Sequence, residues 1–261
     1  MSHSQLISVG QRRIAYEDPV GPAGNRLPIV LIHGSSVHRA IWAPVVEALK
    51  AAYRPISFDQ PGHGDSSLPA ASSVGALVEV LEGLHAKLKI ERSVVIGFSL
   101  GGAVAQLFHA RHPHRVVALG LISTAPNFAL PAEVIARWQA DPLAYAEDEA
   151  ALSIAPMSSK TVRDHIAALR AGVSPEGQGA DLAACASWDS PADCLATACP
   201  IFLMSASDDI PRLRERAEEW ARTIAGARLA IIPEAGHFML VEQPGLCTSA
   251  MLEWLGSLNP A

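Results

Sequence analysis

Cysteine is scarce in this sequence. There are four in 261 residues (Cys185, Cys194, Cys199 and Cys247), and the three that cluster are spaced by nine and five, never as CxxC. That excludes a disulfide framework and argues against a zinc site. Basic charge is also short, with 20 Lys+Arg against 26 Asp+Glu and a net charge of −6, whereas a nucleic-acid partner calls for a basic face. No block of five like charges suggests an interaction tail. Met1 to Gly10 has neither the basic start nor the apolar core of a secretory signal, so a cytoplasmic, reduced protein is expected. Internal repeats, low-complexity tracts, metal-ligand spacings and dinucleotide motifs are all missing, and neither a metal nor a cofactor is expected. Ser93 to Ala110 holds 18 residues without Asp, Glu, Lys or Arg, which is close to the length of a membrane span. It also holds Ser93, Ser99, Gln106, His109 and three glycines, so a buried strand followed by a buried helix is expected, and no membrane partner.

Hydrophobic residues at 49% against 18% charged support a sizeable core. Pro28–Ile32, Arg54–Phe58, Ser93–Ile96, Val116–Ile122, Ile201–Met204 and Leu229–Ile232 read as strands that are apolar on both faces, as in a parallel sheet covered by helices. Between them run amphipathic helical patterns: Ile41 to Leu49, Val74 to Leu88, Leu100 to Arg111, Arg212 to Ile224 and Leu246 to Leu255. The alternation predicts an α/β fold, a doubly wound, mostly parallel sheet with its site beyond the carboxyl ends of the strands. The 78 residues between Ile122 and Ile201 exceed what one crossover needs. Pro131–Ala140, Ala144–Ile154 and Lys160–Ala171 are helix-compatible there, and Gly172 to Gly179 reads as a loose segment. The expected organisation is a core of residues 1–126 and 199–261 with an inserted helical cap, 127–198.

Gly97-Phe98-Ser99-Leu100-Gly101-Gly102 follows a strand and opens a helix, the context of a nucleophile elbow. Such a turn projects the serine hydroxyl from the sheet, and side chains two positions either side would collide, hence Gly97 and Gly101. The start of the helix puts the Leu100 N–H where an oxyanion can be bound. A serine needs a base, and His237 sits directly after the last strand, in Pro233-Glu-Ala-Gly-His237. An acid should come from the end of the preceding strand, where Asp208 and Asp209 both stand. The end of the Val116–Ile122 strand offers Ser123 and no carboxylate. The order Ser, Asp, His is that of one serine-hydrolase architecture and not of the others.

With these residues the chain resembles the α/β-hydrolase fold enzymes over about residues 27–126 and 199–256. His33-Gly34-Ser35 is similar to the family's HG-x oxyanion loop, which assigns a second N–H to Ser35 beside Leu100. Asp59-Gln-Pro61-Gly-His63-Gly64-Asp-Ser66 is similar to its D-x-x-G-x-G-x-S turn, which makes His33 and His63 structural. Its G-x-x-D pattern puts the acid on Asp208, with Ser205 standing where the family has glycine.

The resemblance implies a serine hydrolase of a small or medium neutral carboxylic ester or lactone, working through an acyl-enzyme on Ser99. Small-molecule substrates are the partners expected, and oligomeric state is left open. Dehalogenases and epoxide hydrolases are disfavoured because their nucleophile is Asp. Ring-cleavage C–C hydrolases carry a Gly-Pro-Gly run and a His-Trp pair where this chain has Ser36-Val-His38 and His237-Phe238. Cofactor-free lyases, perhydrolases and oxygenases on the same fold stay open. Trp42, Phe98, Phe128, Trp138, Trp188 and Phe238 are candidates for an apolar acyl site, and Arg137 and Arg163 for meeting a substrate carboxylate.

Overall fold

A computed structural model describes residues 4–22, 25–140, 153–192 and 194–258. Six of its strands are the ones legible in the sequence: β3 (Pro28–Ile32), β4 (Arg54–Phe58), β5 (Ser93–Phe98), β6 (Val116–Ile122), β7 (Ile201–Ala206) and β8 (Arg228–Ile232). All six run parallel. Two more, β1 (Gln5–Val9) and β2 (Arg12–Glu17), form an antiparallel hairpin on the edge beside β4. The sheet order is β1-β2-β4-β3-β5-β6-β7-β8.

Successive residues of the parallel strands enter opposite cores, which is why these strands show no polar alternation. Val30, Ile32, Ile56, Phe58 and Val95 pack on one side with α2 (Val74–Lys87), α3 (Leu100–Arg111) and α7 (Pro211–Thr223). Ile29, Leu31, Val94, Ile96 and Phe202 pack on the other with α1 (Ala43–Leu49) and α8 (Pro244–Gly256). The uncharged stretch from Ser93 is therefore β5 followed by α3. Among the described residues no helix is long and apolar enough to cross a membrane.

Between β6 and β7 lie α4 (Ala132–Ala140), α5 (Lys160–Ala171) and α6 (Pro175–Ser187). Most of the expected Ala144–Ile154 helix lies outside the described residues. The expectation of a loose segment from Gly172 to Gly179 is corrected, because α6 starts inside it. Ser174 accepts the Gly177 N–H at 3.0 Å and Pro175 fills the first helical position, a strong start signal. Gly177 serves close packing in that helix, since a Cβ there would stand 2.6 Å from the Gly62 carbonyl oxygen.

The turn after β4 is built around buried Asp59. Its carboxylate accepts the backbone N–H groups of Arg39 and Asp65 at 2.8 and 2.9 Å and pairs with the Arg39 guanidinium, while its carbonyl takes the Ser66 hydroxyl. Gly64, at φ +49°, leaves no room for a side chain: a Cβ would be 2.2 Å from Asp59 Oδ2. Gly21 shares a positive φ (+67°) but faces open space. Gly64→Ala is therefore expected to cost about 2 kcal/mol or more, against about 1 for Gly21→Ala. Thermal melts read this as a drop of about 5 °C or more against about 3 °C. Equal shifts would refute the packing argument.

Candidate active site

Ser99 joins β5 to α3 at φ +53° and ψ −118°, a conformation that a non-glycine residue adopts at a cost of about 1–3 kcal/mol. The surroundings enforce it. A Cβ on Gly97 would lie 2.1 Å from the Gly101 carbonyl oxygen, and one on Gly101 2.3 Å from that of Ile32. Although serine commonly caps a helix, the Ser99 side chain makes no capping bond to α3, so its hydroxyl is left to face His237. Ser99 Oγ lies 3.1 Å from His237 Nε2.

His237 follows β8 and is buried. Its N–H donates to the Ser153 carbonyl at 2.6 Å, and the Gly236 N–H donates to Glu242 at 3.1 Å. Glu242 also accepts the Ala155 N–H and the Ser158 hydroxyl, clasping the His237 turn to the 153–158 segment.

The carboxylate that meets His237 is Asp209, where Asp208 was expected. His237 Nδ1 donates to Asp209 Oδ1 at 3.0 Å. Asp208 is exposed and, among the described residues, its side chain accepts only the neighbouring Ser207 hydroxyl, at 2.9 Å. The cause lies in the strands. β7 runs on to Ala206, so Ser205 points its hydroxyl at the later acid and donates to Asp209 Oδ2 at 2.8 Å. Ser123, at the end of β6, donates to the same oxygen, and the Ile210 N–H reaches Oδ1 at 2.8 Å. Ser205, the departure from the family's glycine, thus belongs to the acid's hydrogen-bond shell. Burial pushes the Asp209 carboxyl up, but His237, Ser123 and Ser205 outweigh it and hold it below the usual carboxylate range.

Ser99 and His237 open on a cavity of about 80 Å³. Phe98, Phe128, Trp138 and Phe238 line it, with Ser35 and Ser36 from the loop after β3. Trp42 does not. It lies fully buried in the core beside α1, because helical spacing with Val45, Val46 and Leu49 directs it inward. Trp188 is held by its indole N–H on the Ala125 carbonyl, and Arg163 donates to the carbonyls of Ala155, Pro156 and Ser158. Arg137 is exposed on α4 and is not among the lining residues.

Leu130, Gln178, Asp181, Leu182, Ile210 and Arg212 also line the cavity and were not singled out in the sequence. The α6 residues lay in or beside the segment read as loose, so no helical pattern drew attention to them. His33 and His63 are fully buried in the turns around β3 and β4. The Gln60 N–H donates to His33 Nε2 at 2.9 Å, which leaves Nδ1–H to donate to the Gly34 carbonyl at 2.8 Å and keeps this ring neutral.

The chain is similar to known proteins in sequence and in fold. A pimeloyl-[acyl-carrier protein] methyl ester esterase of Chromobacterium violaceum is 30% identical over 225 residues, 80% of this chain and 86% of that protein. A thermophilic esterase from Thermogutta terrifontis superposes with a TM-score of 0.83 at 27% identity, over 99% of this chain and 100% of that one. The enol-lactonase from Burkholderia xenovorans LB400 shares the fold with a TM-score of 0.88 at 23% identity, covering 97% and 100%. The model of the alpha/beta hydrolase family matches residues 29–250, most of the chain, and this protein belongs to that family.

Proposed function

We propose that the chain is a serine hydrolase of small carboxylic esters or lactones, with Ser99 as nucleophile, His237 as general base and Asp209 as the orienting acid. The observation that carries this is the continuous line from Asp209 to His237 to Ser99, at 3.0 and 3.1 Å, ending at a cavity. His237 Nε2 takes the hydroxyl proton as Ser99 Oγ bonds to the substrate carbonyl carbon. The ester C–O bond then breaks and the same proton goes to the departing alkoxide. Water, activated by His237, splits the acyl-enzyme in a second round and frees Ser99. Asp209 keeps the proton on Nδ1 and stabilises the imidazolium.

The oxyanion falls to two backbone N–H groups. Leu100 opens α3, where first-turn N–H groups have no acceptor within the helix. Ser35 follows Gly34, whose absent Cβ would come within 2.9 Å of Ser99 Cβ, so this loop is as near the nucleophile as backbone can be. Ser36 is spoken for, since its N–H donates to Asp181 at 2.7 Å.

The stretch 127–198 acts as a helical cap, supported by the place of Phe128, Trp138 and Asp181 in the cavity wall. Together with the curated esterase above, which its name describes as acting on a methyl ester, the apolar wall favours an uncharged acyl group. The substrate is a small molecule, the setting a reduced cytoplasm, and no cofactor enters the scheme.

Two measurements test the reading. A fluorophosphonate, located by mass spectrometry, is expected on Ser99; labelling elsewhere, or none, overturns it. The cavity is small and its wall is closed in by Phe98, Phe128, Trp138 and Phe238, so p-nitrophenyl acetate and butyrate are expected to exceed the dodecanoate in kcat/KM by about tenfold or more. Preference for the long chain would refute the small acyl site. Oxygen uptake during turnover of an aromatic substrate would point instead to a cofactor-free oxygenase.

A further inference from the structure

A second buried histidine–carboxylate pair borders the same cavity and has no part in the scheme above. His63, in the turn after β4, donates from Nε2 to Asp181 Oδ2 at 2.9 Å; their side chains are 1% and 3% exposed. Asp181 comes from α6, 118 positions away in sequence. The same oxygen accepts the Ser36 N–H at 2.7 Å. His63 Nδ1 lies 3.1 Å from the Pro61 carbonyl oxygen. A carbonyl oxygen only accepts, and the carboxylate oxygen that takes the Ser36 N–H is likewise an acceptor. Both nitrogens of His63 thus face acceptors, and both bonds are made only by the imidazolium.

The other charges around it agree. Asp59, from the turn after β4, adds attraction to His63. His33, from the loop after β3, lies 5.0 Å away between ring centroids and is held neutral. His38, from the segment before α1, is lowered, chiefly by burial and partly by His63, and so does not compete as a cation. Arg39 is paired with Asp59 and Asp65. Burial alone would lower the His63 pKa; Asp181, through its charge and hydrogen bond, and the Pro61 carbonyl reverse that and raise it. A raised value means the charged form persists below it and is lost as pH climbs through it.

The junction of α5 and α6 is fastened to this turn as well. The Gly64 N–H donates to the Gly172 carbonyl at 2.8 Å, and the Ser174 N–H and hydroxyl donate to the Gly62 carbonyl at 3.0 and 2.8 Å. The free end of that attachment, inside the cavity, is Asp181.

We propose that Asp181 is a positioning residue for the ester-cleaving step. Locked by the His63 imidazolium, its carboxylate holds the Ser36 N–H and so fixes the Ser35–Ser36 backbone beside the oxyanion. Ser36 sits at φ +57°, a conformation that a free loop gives up readily. Docking of α6 on its counter-charge thereby completes the anion site. This rests on the serine-hydrolase reading, and it assigns a fixed charge to His63, which the sequence marked only as a structural residue.

The decisive experiment combines NMR and kinetics. In uniformly ¹⁵N-histidine-labelled wild-type protein at pH 7, with His63→Gln for assignment, His63 is expected to carry protons on both ring nitrogens. A neutral His63 overturns the proposal. Wild-type kcat for p-nitrophenyl butyrate is expected to fall on the alkaline side along the same titration curve, with KM within twofold. A kcat that stays level while His63 loses its proton also overturns it. Asp181→Asn keeps an acceptor for Ser36 but not the charge. It is expected to lower kcat about tenfold with KM within twofold, and to move the alkaline limb to lower pH. Unchanged kcat and limb in a folded variant refute the positioning role, and the two wild-type measurements decide the matter if the variant does not fold. Fluorophosphonate labelling of wild-type Ser99 separates the two levels. Without it the hydrolase reading fails, while the charge state of His63 is still read by NMR.

Discussion

Ser99→Ala is expected to reduce kcat for p-nitrophenyl butyrate by about a million-fold, by analogy with serine proteases in which the nucleophile and base act as one unit. At about 1.4 kcal/mol per decade, that is roughly 8 kcal/mol of barrier. Alanine keeps the Cβ and tolerates the elbow no worse than serine does, since the crowding there comes from Gly97 and Gly101 against backbone. The variant should therefore fold and melt like the wild type. The diagnostic measurement is the double variant with His237→Ala. If Ser99 and His237 form one device through their 3.1 Å contact, removing both costs hardly more than removing one. Additive losses, or a Ser99→Ala variant retaining a percent of its activity, would show that the hydroxyl is not the nucleophile.

The second large effect separates two adjacent carboxylates. Asp209→Asn is expected to lower kcat by about 10⁴, as loss of the orienting acid does in a serine protease, while Asp208→Asn stays within about twofold. The asparagine amide cannot accept from His237, Ser123, Ser205 and Ile210 together, so the imidazole loses its preferred tautomer. Steady-state kinetics on the two variants settles the assignment, and the reverse ranking would return the acid to Asp208. Stability carries an independent mark. Asp209 is held below the ordinary carboxylate value, so its contribution is present above that value and is lost as pH falls through the depressed one. Acid unfolding of Asp209→Asn should therefore be less steep in that range.

Much of the architecture was legible because it follows from local chemistry. β3, β4 and β6 end where apolar runs meet the polar residues His33, Asp59 and Ser123, and their bounds agree to the residue. α3 is bounded by the elbow and by Pro113. Ser99 and His237 announced themselves through glycines that only a tight turn requires. The β1–β2 hairpin did not, since it is a half-exposed edge in which Arg12 and Arg13 dilute the apolar signal. The choice between Asp208 and Asp209 turns on one step of register after β7. That step is favoured by the Ser205 hydroxyl and by the hydroxyl of Ser123, which follows the neighbouring strand 86 positions away. Asp181 was invisible for the same reason. Its two partners come from loops after β3 and β4, and nothing in its own helix signals them.

β6 and β7 are adjacent strands, with Leu119 opposite Ile201 and Ile122 opposite Met204. The 78 residues between them leave and rejoin the sheet at neighbouring places, and the pairing does not register how long the excursion is. Relative to a crossover of a dozen residues, closing so long a path costs only about 1.6 kcal/mol, at ~0.6 kcal/mol per doubling. Ser99, Asp209 and His237 all lie outside it. Phe128, Trp138 and Asp181 of the cavity wall lie within it, so that part of the wall can change with no change in the strand pairing or in Ser99, Asp209 and His237. The exception is position 181: a substituted stretch without a carboxylate there would leave His63 without its buried partner and the Ser36 N–H without its acceptor.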